Sequence, residues 1–328
     1  MYNNQFTMSS INLENLVYFR YPTRYTGRIM NNLAISSYNS KNITFQGGIK
    51  SFNVLNPISR YSNRYFNKSA QNSGLHITEL SEDIAPFVNT IWMKSKKNTL
   101  ISALDINPSG SKTYVMFLHG MAQNVYDYQP LYKTILSKRF GVFTPEYRGY
   151  GINPKAKISE DKLRADVDRA YKYLTEEKGI SPENIILIGH SMGGALATNL
   201  ASKHKNLKSL ILICPITNLS NIGERFAIHK QIGEGIPKPI YKTTEHVKPL
   251  RWLYSLCFNS INKLNKTKVP TYIIQSKNDS VTPIIHARKL VKTARKRGIF
   301  KNFICLPTGG HKVDSKKVEA IANILENL

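Results

Sequence analysis

One stretch near the middle of the chain constrains the fold more than any other. The apolar run Asn184-Ile-Ile-Leu-Ile188 breaks into Gly189-His190-Ser191-Met192-Gly193-Gly194, and an Ala- and Leu-rich stretch follows. A strand that becomes a helix within two or three residues must pass through a sharp bend. A serine at the apex of that bend sits in a strained turn and projects its hydroxyl from the sheet edge. The positions two before and two after it approach neighbouring backbone, so glycine is required at Gly189 and Gly193. The helix that starts at the bend offers free N–H groups and the positive end of its dipole to a developing negative charge. The pentapeptide alone recurs by chance; the strand on one side and the helix on the other make Ser191 a candidate nucleophile.

The remainder from about residue 76 keeps the same alternation. Short β-branched runs predict strands at Thr90–Met93, Thr99–Leu104, Tyr114–Leu118, Val142–Pro145, Asn184–Ile188, Ser209–Ile213, Thr271–Gln275 and Asn302–Leu306. Helical spacing predicts helices at Tyr126–Lys138, Glu160–Glu177, Gly193–Lys203, Ile284–Arg297 and Lys316–Leu328. In the second of these, Leu163, Val167, Ala170, Tyr171 and Leu174 recur every three or four residues and form one buried stripe. Strand–helix alternation predicts an α/β fold, a mostly parallel central sheet with helices on both faces. Residues 217–268 interrupt the pattern with Pro, Gly and aromatic residues, and they predict a small cap above the C-terminal edge of the sheet. Residues 1–75 hold eight basic residues and one acid. They show no sustained period and are expected to be a loosely ordered extension ahead of the domain 76–328.

Three further stretches carry chemistry. Tyr114–Leu118 ends in His119-Gly120-Met121-Ala122-Gln123-Asn124. An oxyanion site takes one N–H from the residue after the serine and one from the loop after the third strand. Met192 and Met121 are the expected donors, with Ala122 as the alternative to Met121, and His119 is expected to close the loop through a hydrogen bond. Thr271–Gln275 runs into Ser276-Lys277-Asn278-Asp279. A carboxylate in that turn can fix the tautomer of a histidine base and stabilise its imidazolium, or it can simply cap the next helix. Leu306-Pro-Thr-Gly309-Gly310-His311 places a histidine on a Gly-rich loop past the last strand, where it can serve as general base and then general acid. The other histidines lack that setting.

In these residues, and in their order Ser191, Asp279, His311, the chain resembles the α/β-hydrolase superfamily. It is most similar to the BEM46-like, ABHD13/ABHD17-like branch of S33-type serine hydrolases. Pro145-Glu146-Tyr147-Arg148-Gly149-Tyr150-Gly151 resembles that branch's Asp-Tyr-Arg-Gly-Tyr-Gly, with Glu146 in place of the Asp. His119-Gly120 followed by Asn124 resembles its His-Gly-Asn-x-x-Asn, with Met121 where Asn is common. The resemblance spans about 76–328. It implies hydrolysis of an ester, thioester or amide with no cofactor and no metal, and a loop braced by Arg148.

The function expected is a serine hydrolase acting on a carboxylic ester or thioester of a small-molecule or lipid-like acyl substrate. The alternatives are a peptidase or amidase of the same fold, or a non-catalytic binding module on this scaffold. Three cysteines suit a reducing, cytoplasmic setting, and no apolar run approaches the ~20 residues of a membrane span. The extension leaves secretion and organelle targeting open as routes. The net charge of +25 has two readings: attraction to a polyanion, such as peripheral contact with an anionic membrane, or compositional drift. No nucleic-acid motif is present, so no specific nucleic acid is expected, and the spread of lysines along the sequence favours drift. Oligomeric state is not legible.

Overall fold

A computed structural model of the protein describes residues 79–218 and 258–328. The extension expected over 1–75 lies outside the described residues, as does most of the excursion expected over 217–268.

Eight strands form one sheet: β1 (Val88–Ser95), β2 (Thr99–Ile106), β3 (Tyr114–Leu118), β4 (Gly141–Pro145), β5 (Ile185–His190), β6 (Ser209–Ile213), β7 (Thr271–Ser276) and β8 (Phe300–Leu306). Their spatial order is β1-β2-β4-β3-β5-β6-β7-β8. β1 pairs antiparallel with β2, and β2 with β4; every other pairing is parallel. The helices are α1 (Gln129–Ser137), α2 (Glu160–Lys172), α3 (Met192–Lys203), α4 (Ser260–Leu264), α5 (Ile284–Lys296) and α6 (Ser315–Leu325).

The sheet is covered on both faces, which is why its central strands read as continuous apolar runs. Successive residues of each strand feed opposite layers. Tyr114, Met116 and Leu118 of β3 and Ile185 and Leu187 of β5 join a core with Leu163 and Val167 of α2, Leu196 and Leu200 of α3, and Leu290 of α5. Val115 and Phe117, with Ile186 and Ile188, join the opposite core with Leu131 and Ile135 of α1 and Ile321 and Ile324 of α6. Each such fully buried side chain contributes roughly 2 kcal/mol relative to an exposed one.

The sequence-based elements fall on these, with several ends displaced by one to three residues and two differences of kind. The helix expected from Tyr126 to Lys138 begins as a 3-10 turn, Val125–Tyr128, closed by a capping box between Asn124 and Asp127. The helix expected to reach Glu177 is α-helical to Lys172 and ends as a π turn, Tyr173–Glu177, before Gly179 adopts φ +71°. Within the described part of the excursion, the short helix α4 packs on α3, and the Thr267 hydroxyl donates to the Ala201 carbonyl over 2.6 Å. Those residues belong to the layer that covers the sheet.

The strand order fixes where a site can form. From β3 the chain crosses to β4 on one side and then returns to β5 on the other. The loops after β3 and β5 therefore diverge and leave a crevice at the C-terminal ends of the strands.

Candidate active site

Ser191 occupies the junction between β5 and α3 with φ +53° and ψ −115°. That conformation is costly for a residue with a Cβ and persists only where the surroundings enforce it. Here its N–H donates to the Ile213 carbonyl over 2.9 Å, and the two glycines let the chains close around it. A Cβ on Gly193 would lie 2.1 Å from the Leu118 carbonyl oxygen and 2.5 Å from that of His119. A Cβ on Gly189 would lie 2.5 Å from the Gly193 carbonyl oxygen. A side chain at Gly193 would push the elbow off β3, and one at Gly189 would push β5 off the start of α3.

Three residues far apart in sequence meet at this bend. Ser191 Oγ lies 3.0 Å from His311 Nε2, and His311 Nδ1 lies 2.9 Å from Asp279 Oδ2. Asp279 is buried, and its Oδ1 accepts the N–H groups of Val281 (2.9 Å) and Thr282 (2.8 Å). Its Oδ2 also accepts from Gln275 Nε2 at 3.1 Å, with the Thr282 hydroxyl 2.8 Å away. Burial pushes this carboxyl up, but the hydrogen bonds from His311 and Thr282 outweigh it and hold the group well below the usual carboxylate range. Asp279 thus organises the turn ahead of α5 and receives His311 at once; the two readings of its position are not exclusive.

The loop that carries His311 is held at three consecutive residues by side chains from three other segments. Lys317 Nζ donates to the Gly309 carbonyl over 3.1 Å. The Gly310 N–H donates to Asn278 Oδ1 over 2.9 Å. His190 Nε2 lies 2.8 Å from the His311 carbonyl oxygen, so that nitrogen carries the proton. His190 Nδ1 then accepts from the Tyr128 hydroxyl at 2.8 Å, and Gln123 Oε1 contacts the same hydroxyl. Burial, with His311 as a second influence, pushes the His190 imidazole down to about 3 and keeps it neutral. Nothing in the sequence marks Tyr128 or Gln123 for this role, and the one local signal for His190 is that it precedes Ser191.

The loop after β3 is tied down by Glu146. Its carboxylate oxygen lies 2.9 Å from His119 Nε2, and both side chains are fully buried. The other oxygen accepts the Val125 N–H over 3.1 Å. A Cβ on Gly151 would lie 2.2 Å from that oxygen, so glycine there makes room for the longer acid. His119 Nδ1 lies 2.8 Å from the Gly120 carbonyl and its ring stacks on Tyr147, matching the loop-closing role expected of it. Arg148 grips Asp166 through Nε (2.8 Å) and Nη2 (2.6 Å), both side chains buried. The main-chain N–H groups of Met121 and Met192 donate to no protein acceptor among the described residues.

No metal was expected, since no Cys/His cluster is visible along the sequence. Folding nevertheless gathers His190, Cys214 and His311, with ligand atoms within 4.8 Å of one another. Positions 190, 214 and 311 are too far apart in the chain for a spacing motif to reveal them. Their donors are already engaged: His311 with Ser191 and Asp279, His190 with Tyr128 and the His311 carbonyl. Burial, reinforced by the nearby Asp279 charge, pushes the Cys214 thiol up and keeps it protonated. Among the described residues no helix is long and apolar enough to cross a membrane.

Comparison with known proteins agrees with this architecture. Residues 113–228 match the family model described as alpha/beta hydrolase fold. A protein of Acanthamoeba polyphaga mimivirus named as an alpha/beta hydrolase is 25% identical over 224 residues, 67% of this chain and 75% of its own. A Mycoplasma genitalium protein named as an esterase/lipase is 31% identical over 142 residues, 42% of this chain and 50% of its own. The human alpha/beta hydrolase domain-containing protein 17C is 28% identical over 204 residues, 61% of this chain and 54% of its own. The chain thus spans about half the length of the last two. Among solved structures, an esterase of Pyrococcus furiosus superimposes with a TM-score of 0.60 at 16% identity, over 88% of this chain and 98% of its own. The chain has the alpha/beta hydrolase fold and is similar in sequence to alpha/beta hydrolases, the domain-containing protein 17C among them.

Proposed function

We propose that the protein is a serine hydrolase that cleaves a carboxylic ester or thioester with an acyl, lipid-like substrate through an acyl-enzyme. The observation that carries this reading is the continuous relay from Ser191 Oγ to His311 (3.0 Å) to Asp279 (2.9 Å), inside the reach general-base catalysis needs. His311 Nε2 takes the Ser191 proton as Oγ attacks the carbonyl carbon. The C=O electrons move to oxygen, and the oxyanion rests on the N–H groups of Met121 and Met192. Each such donor contributes on the order of 3 kcal/mol to the transition state in enzymes where it has been measured. The tetrahedral species collapses, and His311 passes the proton to the leaving alcohol or thiol. Water, deprotonated by the same nitrogen, attacks the acyl-enzyme and releases the acid and Ser191. Asp279 keeps the Nδ1 proton in place throughout and stabilises the imidazolium.

The esterase and lipase names among the relatives support ester over amide chemistry. A substrate panel tests that choice: nitrophenyl esters of increasing acyl length against aminoacyl-amides. The proposal expects turnover of the esters, varying with chain length. Faster cleavage of the amides would instead make this a peptidase or amidase.

A further inference from the structure

Among the described residues the excess of lysine and arginine is concentrated in one stretch of the chain, and the fold places that stretch at one edge of the sheet. Residues 79–218, which build β1 to β6 and α1 to α3, hold 18 basic and 13 acidic residues. Residues 266–318, which build β7, α5, β8 and the start of α6, hold 13 basic residues and only two acids. Both acids are engaged, Asp279 with His311 and Asp314 with Lys317. Twelve of the 13 cations are exposed, Lys317 alone being buried.

The centre of this region is α5. It buries Ala287, Leu290, Val291 and Ala294 against the sheet. Its other face carries Arg288, Lys289, Lys292, Arg295 and Lys296, all exposed, in a stripe roughly 16 Å long from Ile285. None of the five forms an ion pair among the described residues, and α5 contains no acid to offset them. The stripe starts at Ile285, which is 49% exposed and, with Phe87, is one of two large hydrophobic side chains left exposed among the described residues. Ile285 is the second residue of α5, whose N-terminal end follows the turn that carries Asp279. Lys277 and Lys312, also exposed, flank Asp279 and His311 in sequence.

We propose that the β7–α5–β8 edge is a docking face for an anionic lipid bilayer, with Ile285 entering the headgroup layer and the α5 cations meeting lipid phosphates. A cationic helix face with an apolar side chain at one end is what an interfacial element presents to such a surface. A nucleic acid fits less well. It would leave Ile285 in water, and the rings of this edge, Tyr272, Phe300 and Phe303, are all partly buried rather than free to stack on bases. Docking here brings the Ser191 crevice next to the membrane, where a lipid-like acyl substrate resides. That consequence rests on the hydrolase reading; the docking itself does not.

Cosedimentation of the full chain with vesicles tests this. The parent should bind phosphatidylcholine vesicles containing ~30 mol % phosphatidylserine, ignore pure phosphatidylcholine, and lose at least about tenfold in affinity when salt rises from ~0.05 to ~0.3 M. Arg288→Glu/Lys289→Glu/Lys292→Glu/Lys296→Glu should weaken binding about tenfold or more, and Ile285→Ser about threefold, both with melting temperatures near that of the parent. Making the changes in the full chain keeps residues 1–78, themselves basic, constant in every arm. Ser191→Ala should bind vesicles like the parent, so failure of the hydrolase chemistry and failure of docking register in separate measurements. Binding that ignores the α5 charge reversal would overturn the proposal. So would a duplex DNA that displaces the vesicles through the same cations with no dependence on Ile285.

Discussion

His190 donates from Nε2 to the main-chain carbonyl of His311 over 2.8 Å, so the residue beside the candidate nucleophile holds the backbone of the candidate base. Because His190 and Ser191 share one bend, this bond ties the two halves of the relay to a common support. The Tyr128 hydroxyl at His190 Nδ1 extends the tie to the loop after β3, whose Gly120 N–H donates to that same oxygen over 3.1 Å. Replacing His190 by Phe should let residues 309–311 drift and lower kcat by 10- to 100-fold, the scale of a misplacement near 1 Å, while KM stays close to normal. His190→Gln keeps an amide donor and should recover part of the loss. Steady-state kinetics on a short-chain ester read this out, and a His190→Phe enzyme with undiminished kcat contradicts it.

The same imidazole makes stability depend on pH. Burial, then His311, depresses its pKa from 6.5 to about 3 in the folded state. Above pH 6.5 both states hold it neutral and its contribution is fully present. As pH falls toward 3 the unfolded chain takes up a proton that the native state refuses, and stability is lost at up to about 1.4 kcal/mol per pH unit. Denaturation curves of the parent should therefore lose more stability than those of His190→Gln between pH 6.5 and pH 4. Parallel losses would place the proton uptake elsewhere.

Asp279→Asn tests the orienting carboxylate. An amide at that position donates to Nδ1, forces the ring proton onto Nε2, and leaves no lone pair to receive the Ser191 proton. Activity should fall by about 10³- to 10⁴-fold. The folded-state pKa of Asp279 is depressed, so its stabilisation is present above the unfolded value of 3.8 and lost only as pH falls below it. The variant should thus be less stable than the parent near neutrality, with the gap closing in acid, as thermal melts across pH would register.

Gly193→Ala addresses the elbow itself. With the Leu118 carbonyl oxygen 2.1 Å from the added Cβ, β3 and α3 would have to separate. Both are core elements, so a loss above about 3 kcal/mol and poor soluble yield are expected, the cost of overpacking at a site that cannot relax. A melting temperature equal to the parent's would mean that the two chains are less closely apposed.

Much of this was legible because local chemistry and global topology agree in the regular elements. β3 and β6 match their sequence-based bounds, since each is an apolar run buried on both faces between polar turns. Ser191, Asp279 and His311 could each be singled out because a strand end, a Gly-rich turn and chain order mark them independently. The supports were not legible. His190, Tyr128 and Asn278 act through contacts with residues 121, 62 and 32 positions away, and no periodicity encodes such pairings. Glu146 read as a simple departure from the branch's Asp, whereas its extra length spans from His119 to Val125 in the space Gly151 leaves. The basic excess over residues 266–318 stands in the sequence itself; that this stretch forms one edge of the sheet and leaves twelve of its 13 cations exposed is seen only in the fold.

Covalent labelling with a fluorophosphonate, read by intact mass and peptide mapping, tests whether Ser191 is a nucleophile activated by His311. One adduct per chain is expected on the peptide bearing Ser191, none in Ser191→Ala, and labelling slowed at least a hundredfold in His311→Ala. An unlabelled parent, or a Ser191→Ala chain that labels as fast as the parent, would contradict that role for Ser191.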